Sequence, residues 1–274
     1  NQQIAALMPS LGLLVRPLPT LSLKGTVGRS FRPPDFLELF GDRGAVVGNT
    51  DLVPEHGWAW DAGVRAESPS GGPVGGALES AFFWRDTRDA IVFVQNAQRT
   101  QIPINFGRAR VYGVEAAADA RLGEVVDLHG AFTGLVSEVT ESYGAYVGNQ
   151  LPRLPAVELR LGAEVHWREV VRVGYAWSYT AGNYWDATNW HLAAPRSLHG
   201  AFVRVQPGPR WPSLELEVRN LTDQRVQVVP RDVLNPDDGA RAVQPLTDFL
   251  GYPLPGRLVL VSLRGTLPGA GAAP

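Results

Sequence analysis

The sequence contains no cysteine, which removes disulfide scaffolds, thiol nucleophiles and cysteine-ligated metals together. Lysine is almost missing as well: of 25 cationic residues only Lys24 is lysine, which reads as GC-rich coding bias rather than as a phosphate-binding device. Charge is scarce, at 19% of residues against a globular average of about 25%. It is also balanced, with 25 cations against 27 anions for a formal net charge of -2. With a pI near 6.2 there is no electrostatic footprint for DNA or RNA, so no nucleic-acid partner is expected. No apolar run approaches the roughly 20 residues of a membrane-spanning helix, and mean hydropathy is -0.07. Any crossing of a membrane must therefore use strands. The start Asn1-Gln2-Gln3 has neither an initiator Met nor a basic segment leading into an apolar one, so no secretory leader is read there.

Glycine and proline, by contrast, are plentiful. The 30 Gly and 22 Pro interrupt every window long enough to hold a period of 3.6 residues, and no helix is expected. Period two succeeds instead. From Val171 to Thr180 the odd positions Val171, Val173, Tyr175, Trp177 and Tyr179 are large and apolar or aromatic, and the even positions between them are small or polar. The same alternation runs through Val157 to Trp167, Leu214 to Arg219, Leu21 to Gly28 and Trp58 to Arg65. Each of these strands has one apolar and one polar face.

The connections fall into two sets. Arg16-Pro17-Leu18-Pro19, 68–75, Leu122-Gly123-Glu124, Arg168-Glu169 and 206–212 are short; 33–54, 96–103, 141–155, 181–195 and 230–255 are long. Short and long alternate strictly, as in an antiparallel up-and-down meander whose tight turns share one rim and whose long loops share the other. Outer-membrane barrels have this asymmetry, with strands of about 10 residues whose lipid face is apolar. Trp167, Tyr175, Trp177, Tyr179, Tyr184, Trp185, Trp190, Trp211 and Tyr252 fall at or near strand ends, where such barrels carry aromatic girdles. A soluble carbohydrate-binding sandwich also shows period two and is the alternative.

Five segments in order carry a resemblance. Phe31-Arg32-Pro33-Pro34-Asp35-Phe36-Leu37-Glu38-Leu39-Phe40-Gly41 is similar to the FRxPxxxELxG stretch of TonB-dependent outer-membrane receptors. Gly48-Asn49-Thr50-Asp51-Leu52-Val53-Pro54-Glu55 resembles their GNPxLxPE motif, with Thr50 in place of the usual Pro. Tyr112-Gly113-Val114-Glu115, Asn220-Leu221-Thr222-Asp223 and Pro255-Gly256-Arg257 resemble the GVE, NLTD and PGR segments of the same barrels. The resemblance implies an all-β transmembrane barrel, with residues 1–267 supplying about eleven C-terminal strands of a 22-stranded architecture and 268–274 a short tail. It further implies an outer-membrane location, lipid around the wall, and uptake energised by the TonB complex through an N-terminal plug that this chain does not contain. The cargo would be a ferric siderophore, cobalamin or another chelate. Read physically, Gly41, Gly44 and Gly48 supply the positive φ angles of a compact loop, Glu55 can anchor that loop to Arg32 or Arg43, and Gly113 permits close backbone approach.

No catalytic signature is present: no GxSxG elbow, HExxH, Walker loop or GxGxxG opening a helix. An enzyme is therefore not expected, nor is a cofactor. His56, His129, His166, His191 and His199 never stand at metal-ligand spacing, and His129 and His166 fall on polar strand faces that suit a wet lumen. Asn235-Pro236-Asp237-Asp238-Gly239 reads as a turn. The candidate ligand-binding residues lie in the long loops: Tyr143 and Tyr146; Tyr184, Trp185, Asn189, Trp190 and His191; and Arg231 and Arg241. Aromatic rings offer stiff contact area and guanidinium groups pair with carboxylate or catecholate oxygens, which suits a chelate. The same aromatics could equally belong to an outer-leaflet girdle.

Overall fold

The computed structural model describes residues 6–42, 44, 46–69, 72–95, 100–142, 146–208, 210–231, 239–248 and 251–265. In chain order these form β1 (Ser10–Leu18), β2 (Leu21–Arg32), α1 (Phe36–Phe40), β3 (Glu55–Glu67), β4 (Val74–Arg88), β5 (Ile91–Gln95), β6 (Gln101–Asn105), β7 (Arg108–Leu122), β8 (Val126–Glu141), β9 (Val157–Trp167), β10 (Val171–Ala181), β11 (Arg196–Val205), β12 (Ser213–Arg219), β13 (Val226–Pro230), β14 (Arg241–Pro245) and β15 (Leu258–Arg264). One antiparallel sheet of 11 strands runs β1-β2-β3-β4-β7-β8-β9-β10-β11-β12-β15. Its two ends do not pair with each other, so the wall is a partial, open barrel. The hairpins β5–β6 and β13–β14 stand outside it.

Tight turns at 19–20, 68–73, 123–125, 168–170 and 206–212 lie at one rim, and the long connections 33–54, 89–107, 142–156, 182–195 and 220–257 lie at the other. Three features differ from the sequence reading. β1 continues through Pro17 to Leu18 across an irregularity in register, because an edge strand tolerates a missing N–H donor, and the turn is Pro19-Thr20. Two of the long connections fold back as hairpins, which period two alone does not separate from wall strand. β12 stops at Arg219 because Asn220, at φ 50°, turns the chain out of the sheet; its side-chain amide donates to the carbonyls of Gln224 and Pro255. The third difference is α1, a single turn. Its capping box, in which the Asp35 carboxylate accepts from the Glu38 N–H and the Glu38 carboxylate accepts from the Asp35 N–H, offsets its lack of length.

Register places the period-two residues on two faces. Val27, Trp60, Trp84, Tyr112 and Val136 stand side by side on five successive strands, with the Trp60 and Trp84 rings stacked at 6.3 Å. Leu23, Val64, Leu78, Leu128, Leu161, Val173, Tyr175, Val203 and Leu216 share that face, and all are exposed. The other face is polar and joined by ion pairs: Lys24 with Glu79, Arg65 with Glu79 at 3.1 Å, Arg121 with Asp127 at 2.9 Å, and Arg204 with Glu215. A cavity of about 660 Å³ opens on this polar side, lined by Lys24, Asp61, Arg85, Thr87 and Glu115, which makes it the concave, luminal face. Here His129 lies over Gly162 and Phe202 over Gly174, where a Cβ would collide with either ring. Among the described residues no second sheet covers the apolar face. A sandwich would bury it, whereas a bilayer would solvate it. No described helix is long and apolar enough to cross a membrane, which leaves strand crossing untouched.

Buried apolar side chains gather in one place. Among the described residues the buried hydrophobics are Leu52, Ala90, Phe106, Ala109, Val139, Ala187, Ala193 and Leu246. Each lies in a long connection or at the strand end that leads into one.

Candidate ligand-binding mouth

The loops at the wide rim are packed against one another. Arg32, the last residue of β2, is a hub: its guanidinium donates to Glu55 at 2.8 and 2.9 Å and to both Glu38 oxygens at 3.0 Å. Glu55 in turn accepts from the Ile91 N–H at 2.7 Å, tying in β5. Arg, Glu and Glu thus occupy one charge-assisted network that closes the 33–54 loop over the β5–β6 hairpin. Asn49 continues the closure, its N–H donating to the Glu38 carbonyl and its side chain to the Pro103 carbonyl. Of the loop glycines, Gly41 alone has a positive φ, 72°. Gly48 is required for a different reason, since a Cβ there would overlap the Leu39 carbonyl. Gly113 is in the same position against the Gly134 carbonyl. Arg43 lies outside the described residues.

Phe106, Val139 and Ala187 form a small core, flanked by Val92, Val94, Ile104, Tyr146 and Leu151, so that three loops meet on the luminal ends of β7 and β8. Tyr146 packs its ring 4.9 Å from Phe106. The segment 183–193 is a tight hairpin closed by a Tyr184–Leu192 bridge and a Trp185 N–H to His191 carbonyl bond of 3.0 Å. Asp186 organises its tip by accepting from the His191 N–H at 2.8 Å, the Trp190 N–H at 3.3 Å and the Thr188 hydroxyl. Burial works against ionising Asp186 more than any single other influence. Its bonds to Thr188, His191 and Trp190 together outweigh that and hold the carboxyl below its ordinary value. Asn189, at φ 57°, links the hairpin to the neighbouring loop: its Oδ1 accepts from the Gln150 N–H at 2.6 Å and its Nδ2 donates to the Gln150 carbonyl at 3.0 Å.

Of the residues singled out from sequence, Tyr184, Trp185, Asn189, Trp190 and His191 are thus brought together on one hairpin, with Tyr146 packed beneath it. Trp190 is 53% exposed, His191 is exposed with Nδ1 3.2 Å from Asp186, and Trp185 is half-buried with an indole N–H that meets no acceptor. Arg231 and Arg241 are exposed on the β13–β14 hairpin, a two-stranded sheet of its own. Tyr143 lies outside the described residues, as do Asn235 to Asp238 and the tail from Thr266. His129 and His166 are luminal, His166 with Nε2 3.0 Å from Asp127. No three His, Asp or Glu side chains come together as a metal site among the described residues.

Sequence reasoning passed over Arg153 and Arg196. Both are half-buried, and among the described residues they are the only arginines short of full exposure that form no ion pair. Arg153 donates to the Gln101 side-chain oxygen at 2.5 Å and Arg196 to the Thr247 carbonyl at 3.1 Å. Burial pushes the Arg153 guanidinium below its ordinary value, with Tyr252 opposing. An arginine in a loop carries no local signature of such a state.

Comparison with known proteins fits this geometry. The family described as TonB dependent receptor-like, beta-barrel matches residues 2–221. A comparison with curated proteins finds no match. Among solved structures the copper transporter OprC is similar at TM-score 0.69 and 17% identity, covering 93% of this chain and 37% of its own. The siderophore receptor PiuA from Acinetobacter baumannii is similar at TM-score 0.68 and 19% identity over 93% of this chain and 35% of its own. The ferric yersiniabactin uptake receptor FyuA from Yersinia pestis gives 0.65 and 20% over 94% and 36%. This chain therefore spans little more than a third of the length of these structures, and at such identities the likeness speaks to fold.

Proposed function

Because the chain belongs to the TonB dependent receptor-like β-barrel family, we propose that it is the C-terminal wall and mouth of an outer-membrane receptor that imports a scarce chelate under TonB control. The observation that carries this reading is the division of the sheet: an apolar face left to lipid, a polar concave face, and loops packed into a firm rim on one side only. A rim of that kind holds recognition groups in place before ligand arrives, which lowers the ordering cost of binding. On it Tyr184, Trp185, Trp190 and His191 offer rings and donors, with Tyr146 beneath them and Asn189 on the same hairpin; Arg231, Arg241 and Tyr143, the last outside the described residues, complete the candidate set. In this reading the wall lies in the outer membrane of a Gram-negative bacterium. The energy-coupling complex acts through an N-terminal plug, and no covalent step occurs. The named cargoes of the structural relatives, copper and ferric chelates, set the class to test.

The test is uptake of radiolabelled ferric chelates by cells carrying the receptor at its natural length. Import should stop when TonB is deleted while binding to the cell surface persists. Import that continues unchanged without TonB would refute the reading.

A further inference from the structure

The outward face of the wall is not apolar throughout. On β10 and β11 it carries a chain of four polar groups: the Trp177 indole N–H donates to the Ser197 hydroxyl at 2.7 Å, that hydroxyl lies 3.3 Å from His199 Nε2, and His199 Nδ1 lies 2.5 Å from the Tyr175 hydroxyl. Register puts Trp177 opposite His199 and Tyr179 opposite Ser197, on the same face as Val173, Val203 and Leu216. Indole, hydroxyl, neutral imidazole and phenol bring one polar hydrogen each, and the three contacts use three of these four. One hydroxyl hydrogen is left over whichever tautomer His199 takes. It stays on Tyr175 when the contacts run from Trp177 through Ser197 to the ring, and on Ser197 when the ring donates through Nε2. An unused donor facing hydrocarbon is costly, and an acceptor brought by the surroundings cancels that cost.

Beside this chain the wall has a furrow. The outward residues of β11, running inward from Ser197, are His199, Ala201, Val203 and Val205, and Ala201 stands between Tyr175 on β10 and Val218 on β12. Strands two apart lie about 10 Å from each other, so a lone methyl group between an aromatic ring and a branched side chain leaves a channel the width of one hydrocarbon chain. Ser197 is the second residue of β11 from the loop rim. The polar end of the furrow therefore lies at the outer boundary of the apolar band, and its apolar end points toward the middle of the wall. An acyl chain carrying an ester has its parts in that same order.

Resting on the receptor reading above, in which lipid surrounds the wall, we propose that the furrow over β11 is a lipid site: one acyl chain lies along Ala201 and Val203, and its ester carbonyl accepts the hydrogen left over by Tyr175 and Ser197. The site selects by linkage, since an ether-linked lipid offers the chain without the carbonyl and leaves the hydroxyl unmatched.

The experiment is native mass spectrometry of the natural-length receptor released from detergent micelles that contain equal amounts of a diester and a diether phosphatidylcholine of the same chain length. The receptor should keep one diester lipid in preference by about tenfold, the effect of one hydrogen bond whose donor is otherwise unmatched. Ala201→Phe, which fills the furrow and leaves the polar chain in place, should lose the retained lipid. The fourfold variant Tyr175→Phe, Trp177→Phe, Ser197→Ala and His199→Leu, which strips every polar hydrogen from the patch, should hold the two lipids equally. Heat-modifiable migration on gels establishes that the wall is intact in each. Equal retention of the two lipids by the parent, a preference that survives in the fourfold variant, or undiminished retention by Ala201→Phe would overturn the site. The receptor reading would then still stand on TonB-dependent import, whereas a receptor that stays soluble without detergent and keeps no lipid would remove both.

Discussion

The wall and the mouth of this molecule obey different solvents. In the wall, large apolar residues such as Leu161, Val173, Tyr175 and Leu216 are exposed and no described residue covers them. In the mouth, Val139 and Leu246 are fully enclosed and the surrounding polar groups are bonded to one another. Each inner strand of the wall is paired on both sides, and in the proposed reading hydrocarbon takes the apolar face, so the wall needs no core. In the same reading the mouth stands in water, so it folds as a small globular unit with a core of its own. Its positions reflect this: Gly48 is fixed by close backbone approach, and Glu38 by burial at 4% exposure beneath Arg32.

The contrast is broken most severely by placing charge on the wrong face. Tyr175→Arg should cost up to about 2–4 kcal/mol of unfolding free energy in lipid if the residue is near the midplane, whereas Ala176→Arg, one residue along on the luminal side, should cost far less. Urea titration of the refolded receptor in vesicles reads the difference. Next in size, Arg32→Ala strips the buried Glu38 carboxylate of its countercharge and should loosen the 33–54 loop by about 2–3 kcal/mol. Added protease should then cut between Asp42 and Asn49 in the variant and not in the parent, with wall stability unchanged.

How much of this was legible in the sequence divides along the same line. The faces of the wall follow from strict alternation, a local pattern, and the order of short and long connections follows from prolines and glycines. The tie between Arg32 and Glu55 was foreseeable from the motif, since both flank one loop. The folded-back hairpins β5–β6 and β13–β14 were not, because only their pairing partners separate such short extended segments from wall strand. Nor was the enclosure of Tyr146 and Asn189, which depends on Phe106 and Gln150 arriving from other segments. Arg153 and Arg196 were missed for the same reason: a missing partner is a property of the surroundings, never of the residue.

Two smaller effects sharpen the comparison. Val139→Ala removes two methyl groups from the mouth core and should cost about 1–2 kcal/mol locally. It should raise hydrogen exchange at the Gly148 amide, which donates to the carbonyl of residue 139, and at the amide of residue 139, which donates to the Asn149 carbonyl, while β10 exchange stays as in the parent. The smallest effect concerns pH. Asp186 has a depressed carboxyl pKa, so its contribution is present in full above the ordinary value of 3.8 and is lost as pH falls through the lower folded value. The 183–193 hairpin should therefore keep its Trp190 fluorescence down to about pH 4 and change only below it; in Asp186→Asn this acid transition should be absent.

The central claim is that adjacent residues of one strand face different solvents. The 274 residues contain no cysteine, so Tyr175→Cys and Ala176→Cys each add one thiol to them for a nitroxide label, read in the lipid-reconstituted receptor with any cysteine elsewhere replaced by serine. Relaxation of the label at 175 should respond mainly to oxygen dissolved in the bilayer and that at 176 mainly to a water-soluble nickel chelate. Equal response of both labels to either agent would contradict the account.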